Sequence, residues 1–429
     1  MIERQIETDA MLDRLQRGAF GYFLEQANPA NGLVADTSRD ASPVSIAVVG
    51  FALSSYPVAV ERGWMTRAAA VERTLIALRF FWHSRQSDEP DATGYKGFYY
   101  HFLDIHSGKR TWNCELSLID STLLFAGMLT ASVYFSEQSP KETEIRQLAD
   151  ALYRRADWQW ARGKRSTVAQ GWKPKSGFLH YGWEGYSEAT ILYVLGLASP
   201  TFPLSDTCFG AWSATYQWEN IYDREFLYAG PLFIHQFSHA WIDFRGIQDQ
   251  FMREKDCDYF ENSRRATYIQ REYAQRNPHG FAGYAEDCWG LTAGDGPARG
   301  TRRIDGRKGG FFGYAARGVP YGPDDGTIAP WAPLASLPFA PEIALPALRA
   351  ICGRFPELIV DDRLPTGFNP TLPGRGPAGW VSEGNYGLDQ GIVVLMVENF
   401  RSGLVWKLMR QCPYIRTGLG RAGFKRGWL

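Results

Sequence analysis

Segments of helical periodicity alternate along this chain between two kinds, and this alternation constrains the fold more than any other feature. Three segments are apolar around their whole circumference: residues 45–60, 116–135 and 187–197. The segments at 68–83 and 142–158 are amphipathic and follow the first two along the chain. A helix that is apolar on all sides must be enclosed, whereas an amphipathic helix stays half exposed. The pattern therefore predicts an inner ring of helices within an outer ring.

Five further helical segments bring the total to ten, close to the twelve that two concentric rings of six require. Their apolar residues recur at three- and four-residue steps. These segments are residues 9–24, 230–251, 262–276, 342–355 and 389–409. We predict an all-α protein with the (α/α)6 toroid fold; a long multi-helix bundle is the alternative. No linker or strand-rich block divides the sequence, so residues 1–429 are predicted to form a single domain.

Three long segments between helices are rich in glycine, proline and aromatic residues. They cover residues 163–185, 280–341 and 365–391. Loops longer than about 12–15 residues are usually functional or disordered, and the aromatic residues here favour order. We expect these loops to cover one mouth of the toroid and to line a cleft there. Aromatic rings suit the apolar faces of sugars, although most of the 62 rings in this chain suit an ordinary core equally well.

Charge and cysteine content argue against several classes of function. Basic and acidic residues balance at 46 each, so no net charge attracts nucleic acid or an anionic membrane. The six cysteines form no C-x-x-C pair, and no phosphate-binding loop, G-x-S-x-G motif or dinucleotide-binding motif is present. We expect buried thiols rather than an essential disulfide, no metal, no cofactor and a neutral substrate.

The N-terminal segment has no basic region followed by an apolar run, as a secretory signal would. No segment reaches the roughly 18 uncharged apolar residues that a membrane span needs. We therefore expect a cytoplasmic protein that does not contact a membrane, or a periplasmic one if a signal is removed from the natural precursor. The sequence does not predict an oligomeric state.

A candidate general acid stands where a loop enters an apolar helix. Glu188 opens the apolar segment 187–197 directly after Trp183 and Tyr186, which could form a wall for sugar stacking. Apolar burial raises a carboxyl pKa, as a general acid requires near neutrality. The alternative is a helix cap. We interpret Glu188 as catalytic and the two aromatic residues as substrate-binding.

A second carboxylate occupies a comparable place. Asp120 lies in the apolar run 116–124, where a carboxylate is paired, caps the helix or is functional. The sequence does not decide between a capping and a functional role for Asp120. We predict Asp120 as the candidate catalytic partner of Glu188. Nearby Glu115 is assigned to the positive end of the helix dipole.

His235 and His239 are four residues apart and share a face of the predicted helix. This spacing can bind zinc, but Gln236 replaces the glutamate of an H-E-x-x-H motif. We interpret the two histidines as a hydrogen-bonding face for sugar hydroxyls. Core histidines with satisfied hydrogen bonds are the alternative.

Three further polar clusters contain groups that could bind a sugar. The clusters are Glu261–Arg265, Glu286–Trp289 and Asp324–Thr327. From them we predict four more substrate contacts: Asn262, Arg265, Trp289 and Asp325. The last cluster is equally typical of an Asx turn before a helix.

At several of these segments the chain resembles the bacterial glucoamylase-like family, which includes endo-β-1,2-glucanases and the hydrolase-like domain of cyclic β-1,2-glucan synthases. The resemblance runs from about residue 10 to the C-terminus. The segments that carry it are Val44–Phe51, Gly97–Leu103, Gly185–Ala189, Ile234–His239, Tyr259–Thr267 and Asp325–Pro330.

The resemblance implies an (α/α)6 fold and inverting hydrolysis of β-1,2-glucan without a metal. It places the general acid of the family in the G-Y-x-E-A segment, at Glu188. It also places a functional acidic residue at a helix start about seventy positions earlier, where Asp120 stands. The position of the general base differs between relatives and stays open.

Two other functions are compatible with the sequence. A sugar isomerase or epimerase on the same barrel would use His235 and His239 to exchange protons. A carbohydrate-binding protein would need no catalysis at all. Our prediction is a glycoside hydrolase, specifically an endo-β-1,2-glucanase, whose partner is an oligo- or polysaccharide.

Overall fold

The computed structural model describes residues 2–304, 307–374 and 376–429. Helices form most of its regular structure. The α-helices are α1 (Ile2–Glu25), α2 (Ile46–Glu61), α3 (Arg67–His83), α4 (Leu118–Tyr134), α5 (Pro140–Arg154), α6 (Trp158–Arg162), α7 (Thr190–Ala198), α8 (Thr207–Ser213), α9 (Gln250–Glu254), α10 (Tyr259–Arg276), α11 (Ala332–Ala335), α12 (Pro341–Arg354), α13 (Gly387–Arg401), α14 (Leu404–Gln411) and α15 (Pro413–Arg421).

Short strands lie between the helices. They are β1 (Val44–Ser45), β2 (Gly94–Tyr95), β3 (Phe98–Tyr100), β4 (Phe102–Leu103), β5 (Leu116–Ser117), β6 (Gly171–Lys173), β7 (Gly177–Phe178), β8 (Trp218–Ile221), β9 (Arg224–Leu227), β10 (Ala293–Gly294), β11 (Gly300–Ile304), β12 (Arg307–Phe311), β13 (Ala315–Ala316), β14 (Phe368–Asn369) and β15 (Trp380–Val381). The largest sheet is antiparallel and has the order β2-β3-β5-β6-β7. The expectation of an all-α chain is therefore correct only as mostly helical. Strands of two to five residues are too short for an alternating pattern to reveal them.

The predicted division between apolar and amphipathic helices is confirmed. Helix α7 is buried along its whole length, and α2 and α4 are buried over most of theirs. Helices α3 and α5 pack on each other and cover α2 and α4, respectively. Each of these outer helices buries only one face. The hydrophobic core therefore runs through the inner helices.

Helices α2 and α4 approach each other closely through two glycines. A Cβ on Gly127 would lie 2.1 Å from the backbone oxygen of Gly50, and a Cβ on Gly50 would lie 2.3 Å from the oxygen of Leu123. No side chain fits at either position without moving backbone. This contact fixes α4 against its neighbour and so holds the start of α4, where Asp120 lies.

Two predicted helices are not continuous. Residues 230–251 form two 3₁₀ turns, Leu232–His235 and Ser238–Ala240, followed by α9. The side chain of Gln236 between the turns donates to the Ala332 oxygen and to Ser336, a tertiary contact that periodicity does not predict. The predicted helix 389–409 is divided between α13 and α14, because Gly403 adopts a left-handed φ of 69°.

The cysteines and the helices bear on two expectations drawn from the sequence, the absence of an essential disulfide and the absence of a membrane span. All six cysteines are free thiols, and all but Cys352 are buried. Within the described ranges, no helix combines the length and the apolar character needed to cross a bilayer.

Candidate active site

A cavity of about 320 Å³ opens where the long loops meet the N-terminal ends of inner helices. The predicted cleft-lining segments 163–185 and 280–341 contribute to its walls, whereas the third, 365–391, contributes only through the start of α13. The wall residues from these segments are Gln170, Leu179, Trp183, Ala293, Tyr314, Trp331, Leu388 and Asp389. The remaining walls come from His101, Glu115, Ser117, Ile119, Asp120, Leu123, Glu188, Phe233 and Phe237.

Glu188 enters the cavity from the turn that precedes α7. Its backbone oxygen accepts a 2.8 Å hydrogen bond from the Ser238 hydroxyl, which anchors this turn. Burial, with a smaller contribution from the charge of Asp120, raises the pKa of the Glu188 carboxyl from 4.5 to about 7. The N-cap of α7 is Ala189, without a side-chain capping bond. The geometry therefore favours a carboxylic acid that can donate a proton near neutrality over a helix cap.

Asp120 lies in the first turn of α4 and faces the same cavity. Ser117 caps this helix: its hydroxyl accepts from the Asp120 backbone N–H at 3.2 Å and donates to the Asp120 carboxylate. The imidazole Nε2 of His101 lies 3.6 Å from the same carboxylate. These contacts fix the orientation of the carboxylate toward the cavity.

His101 joins two carboxylates. Its Nδ1 lies 2.8 Å from Glu115 Oε1, on the side opposite Asp120. Burial disfavours the imidazolium, but the charges of Asp120, Glu115 and Asp36 outweigh it and raise the pKa of His101 to about 9. His101 is therefore a cation at neutral pH and links the two carboxylates through its ring.

Glu115 has a different role from the one expected at a helix terminus. It precedes β5, and its backbone oxygen accepts from His101 N–H at 3.0 Å. Burial opposes ionisation of Glu115, but the hydrogen bond from His101 outweighs it, so that its pKa is lowered. The pairing of β3 with β5 brings these two residues together across the sheet. Sequence reasoning missed His101, although it lies in the segment Gly97–Leu103 that carries the family resemblance.

Two further carboxylates, Asp36 and Asp389, lie close to this group. Asp389 stands in the first turn of α13 and accepts a hydrogen bond from the Thr366 hydroxyl. Burial raises its pKa well above the ordinary value, and the charge of Asp36 adds to this effect. Burial likewise raises the pKa of Asp36 to about 6, against the opposing charge of His101. Asp389 has the same signature as Glu188, an acid that opens an apolar helix, and this signal could have identified it.

One group of side chains has the spacing of a metal site. Among the described residues, His101, Glu115 and Asp120 alone bring three potential ligand atoms within 4.8 Å of one another. A metal-bound imidazole must be deprotonated, whereas the two carboxylates hold the pKa of His101 at about 9. A protonated His101 that contacts both carboxylates of this triad balances part of their charge without a metal.

We expect chelation to leave activity intact, since an imidazolium already compensates the carboxylates of the triad. The measurement is the initial rate on the polysaccharide substrate expected from the sequence, after dialysis against EDTA and beside an untreated sample. A loss of rate that a divalent ion restores would contradict this expectation.

Three of the residues predicted for the site, Glu188, Asp120 and Trp183, are brought together at the cavity. The predicted sugar-binding histidines, His235 and His239, do not line the cavity. His235 contacts the Ala229 oxygen at 3.1 Å, and His239 contacts the Ser263 hydroxyl at 3.0 Å.

The electrostatic environment of these histidines differs from that of His101. Both are buried, and burial lowers the pKa of His235 to about 4 and that of His239 to about 3. Both are core histidines, the alternative that the sequence left open, and both ring nitrogens of His235 have hydrogen-bond partners. The 3₁₀ geometry of this segment also removes the shared helical face on which the prediction depended.

Tyr186 and Asn262 lie behind the cavity wall rather than in it. The Tyr186 ring packs against His235 and Tyr259, with centroids 5.2 and 5.8 Å away. Asn262 is buried and exchanges hydrogen bonds with the backbone of Leu227, at 2.6 and 3.2 Å. Neither residue therefore lines the cavity.

The last three predicted contacts also lie outside the cavity. Arg265 forms an ion pair with Glu261, and Trp289 is fully buried in the core. Asp325 forms a buried ion pair with Arg317 at 2.7 Å. Arg317 donates in turn to the backbone oxygen of Gly294, next to a cavity wall residue, so Asp325 stabilises the loop over the cavity from behind.

The chain is similar to proteins of one known family. Residues 180–413 match the Glycoamylase family model, described as "Putative glucoamylase". The match covers more than half of the chain. The chain belongs to the glycoamylase family. This confirms the resemblance drawn from the sequence motifs, and the matched range includes both Glu188 and Asp389.

Other glycoamylase-like proteins resemble the chain over nearly its full length. A Bacteroides uniformis protein with the same description is 30% identical, with a TM-score of 0.87 and 98% of each chain covered. An endo-β-1,2-glucanase from Chitinophaga pinensis, solved with sophorotriose and glucose, is 25% identical, with a TM-score of 0.85 and coverage of 98% and 99%. Both similarities extend over nearly the whole of each chain.

A longer relative acts on short glucans. An exo-β-1,2-glucooligosaccharide sophorohydrolase acting at the non-reducing end, from Parabacteroides distasonis, is 26% identical over 96% of this chain. The chain spans 57% of the length of that relative.

Proposed function

We propose that this protein is a glycoside hydrolase that cleaves β-1,2-glucan by inverting acid/base hydrolysis. The observation that carries the proposal is Glu188, whose pKa of about 7 keeps a proton available inside an aromatic-walled cavity opposite an ionic triad. The linkage is supported by the relatives from Chitinophaga pinensis and Parabacteroides distasonis, which act on β-1,2-glucans.

The proposed reaction transfers one proton from the protein to the leaving group and one proton from water to the protein. Glu188 donates its proton to the glycosidic oxygen as the bond from that oxygen to the anomeric carbon breaks. A water molecule attacks the anomeric carbon from the opposite face and loses a proton to a carboxylate, for which we propose Asp120. Inverting enzymes separate their two carboxyl groups by about 6.5–9.5 Å to admit this water. The two carboxyls exchange protons with solvent before the next turnover.

His101 and Glu115 are proposed to position the base. A hydrogen-bonded imidazolium fixes one side of the Asp120 carboxylate, and Glu115 fixes the other end of the imidazolium. Such preorganisation holds a group in its reactive orientation without reorganisation during the reaction.

We further propose that the chain forms one (α/α)6 toroid over residues 1–429. Contacts between inner elements support this proposal: α2 packs on α4, α4 on α7, and α13 on both α2 and the 3₁₀ turn Ser238–Ala240. Ser238 also accepts from the Ile191 N–H of α7, which links these elements in a ring. Helices α1, α5, α10 and α12 pack outside it.

A glucan panel tests the proposed function. The purified protein is expected to release oligosaccharides from linear β-1,2-glucan and to leave starch untouched, because the relatives act on the β-1,2 linkage. Reducing-end release and product chromatography measure both. Internal cleavage would give a ladder of products, as the proposed endo action requires, whereas exo action would give one short product. Glucose release from amylose without action on β-1,2-glucan would contradict the proposal.

The other functions compatible with the sequence find less support. An isomerase or epimerase that used His235 and His239 would need both imidazoles at a substrate, yet both are buried in the core. A binding protein without catalysis would bind β-1,2-glucan in the same panel and release no reducing ends.

A further inference from the structure

An exposed tryptophan beside the cavity takes no part in the chemistry proposed above. Trp112 is 66% exposed, and its ring centroid lies 5.1 Å from that of Phe102. The Phe102 ring stacks almost parallel on the imidazole of His101, with centroids 3.9 Å apart. Since His101 lines the cavity, an aromatic surface begins at the cavity wall and ends at the solvent-facing ring of Trp112.

The backbone that presents this ring is unusual. Trp112 and Asn113 adopt left-handed φ values of 55° and 49°, which bulky residues rarely adopt. The turn is anchored on both sides, because Thr111 N–H donates to the Phe102 oxygen at 3.0 Å and Cys114 N–H donates to the Thr111 oxygen at 3.2 Å. An anchored turn in an unfavourable conformation that leaves a large apolar ring in water points to a binding role.

The size of the cavity indicates what the ring would bind. At about 320 Å³, the cavity stands at the lower end of the roughly 300–1,000 Å³ that enclose a small ligand. A longer glucan must therefore continue outside it. A glucosyl unit is uncharged and has an apolar face of C–H groups, which suits a flat indole ring.

We infer that Trp112 is the platform of an outer glucosyl-binding subsite, used by the part of a β-1,2-glucan chain that extends past His101. This inference rests on the proposed hydrolysis of β-1,2-glucan. It predicts that Trp112 matters for long chains and not for those that fit within the cavity.

Kinetics on a long β-1,2-glucan and on sophorotriose test the subsite in Trp112→Ala and Trp112→Phe. An aromatic contact of this kind is worth up to about tenfold in binding. We expect Trp112→Ala to raise KM for the long glucan by up to about that factor with kcat retained, and to leave sophorotriose kinetics unchanged. Trp112→Phe should restore most of the loss, because it keeps an aromatic face.

Trp82→Ala is the matched control. Trp82 is also exposed, at 40%, but it stands at the end of α3 under Arg155 and away from the cavity. This variant should match the wild type on both substrates. Calorimetric titration of the long glucan into Glu188→Gln, with and without Trp112→Ala, should show the same loss of affinity without turnover.

The outcomes separate the subsite from the proposed function. Suppose that the wild type is active and that Trp112→Ala either matches it on the long glucan or loses activity equally on both substrates. Either result would overturn the subsite and leave the proposed hydrolase function in place. A wild type that releases nothing from either substrate overturns both.

Discussion

Glu188→Gln is expected to lower kcat on β-1,2-glucan by at least about 10²-fold, and up to about 10⁴-fold, the range that general acid catalysis contributes. The amide keeps the size and hydrogen-bonding capacity of the acid but cannot deliver a proton. In the wild type, kcat should fall as pH rises through about 7, since the Glu188 carboxyl then loses its proton. The variant should lack this alkaline limb. Initial rates across pH 4–9 measure both effects.

Folding provides a second measurement for the same variant. Burial raises the pKa of Glu188 from 4.5 to about 7 in the folded state. The fold therefore binds a proton that the unfolded chain releases, and this group costs stability progressively as pH rises from 4.5 to 7. At neutral pH the variant should melt at the wild-type temperature or above it, so lost activity would not reflect unfolding.

Glu184→Gln is the matched control for Glu188→Gln. Glu184 lies four residues earlier, is exposed, and contacts the Thr167 hydroxyl at 3.2 Å. Its replacement should leave kcat near the wild-type value. If Glu188→Gln kept more than about a tenth of the wild-type kcat, the loss would be too small for a general acid, and the acid would have to be sought among the other cavity carboxylates.

Asp120→Asn is expected to lower kcat by at least about 10²-fold if Asp120 is the base that activates water. The substitution also removes the negative charge that most strongly favours the His101 imidazolium. We therefore expect the pKa of His101 to fall below its value of about 9. Proton NMR titration of the imidazole measures this shift independently of activity.

The same substitution should move the pH profile. The charge of Asp120 contributes to the raised pKa of Glu188, so its removal should shift the alkaline limb of kcat to lower pH. Asp104→Asn is the control, because Asp104 is an exposed residue in a turn and contacts Ser107. If Asp120→Asn shifted the titration of His101 but left kcat intact, Asp120 would only stabilise the His101 imidazolium. Another carboxylate would then be the base.

The two acids that the sequence identified share a local signature. Glu188 and Asp120 each stand where an uncharged apolar helix begins, so that their burial was predictable, and a catalytic role was proposed, from neighbouring residues alone. The inner and outer character of the helices was predictable for the same reason, since periodicity over 15 residues is a local property. Asp389 has this signature too, at the start of the predicted helix 389–409, and sequence reasoning missed it.

The rest of the site depends on chain segments that meet only in the folded molecule. His101 reaches Asp120 and Glu115 because β3 pairs with β5, and these strands are too short to predict. His235 and His239 were misassigned to substrate binding because a helical period was assumed where the segment forms 3₁₀ turns. In that conformation their rings turn to buried polar partners.

Asp120 and Asp389 stand in the first turns of buried helices, and Glu188 stands directly before one, while the outer walls of the cavity come from loops. The candidate acids thus lie at the starts of inner helices, whereas loops supply much of the cavity wall. A loop can lengthen, shorten or exchange its aromatic residues without moving the acids. Changes confined to these loops would alter the length of glucan that the cavity accepts, or the chain end that enters it, and leave the carboxylates in place.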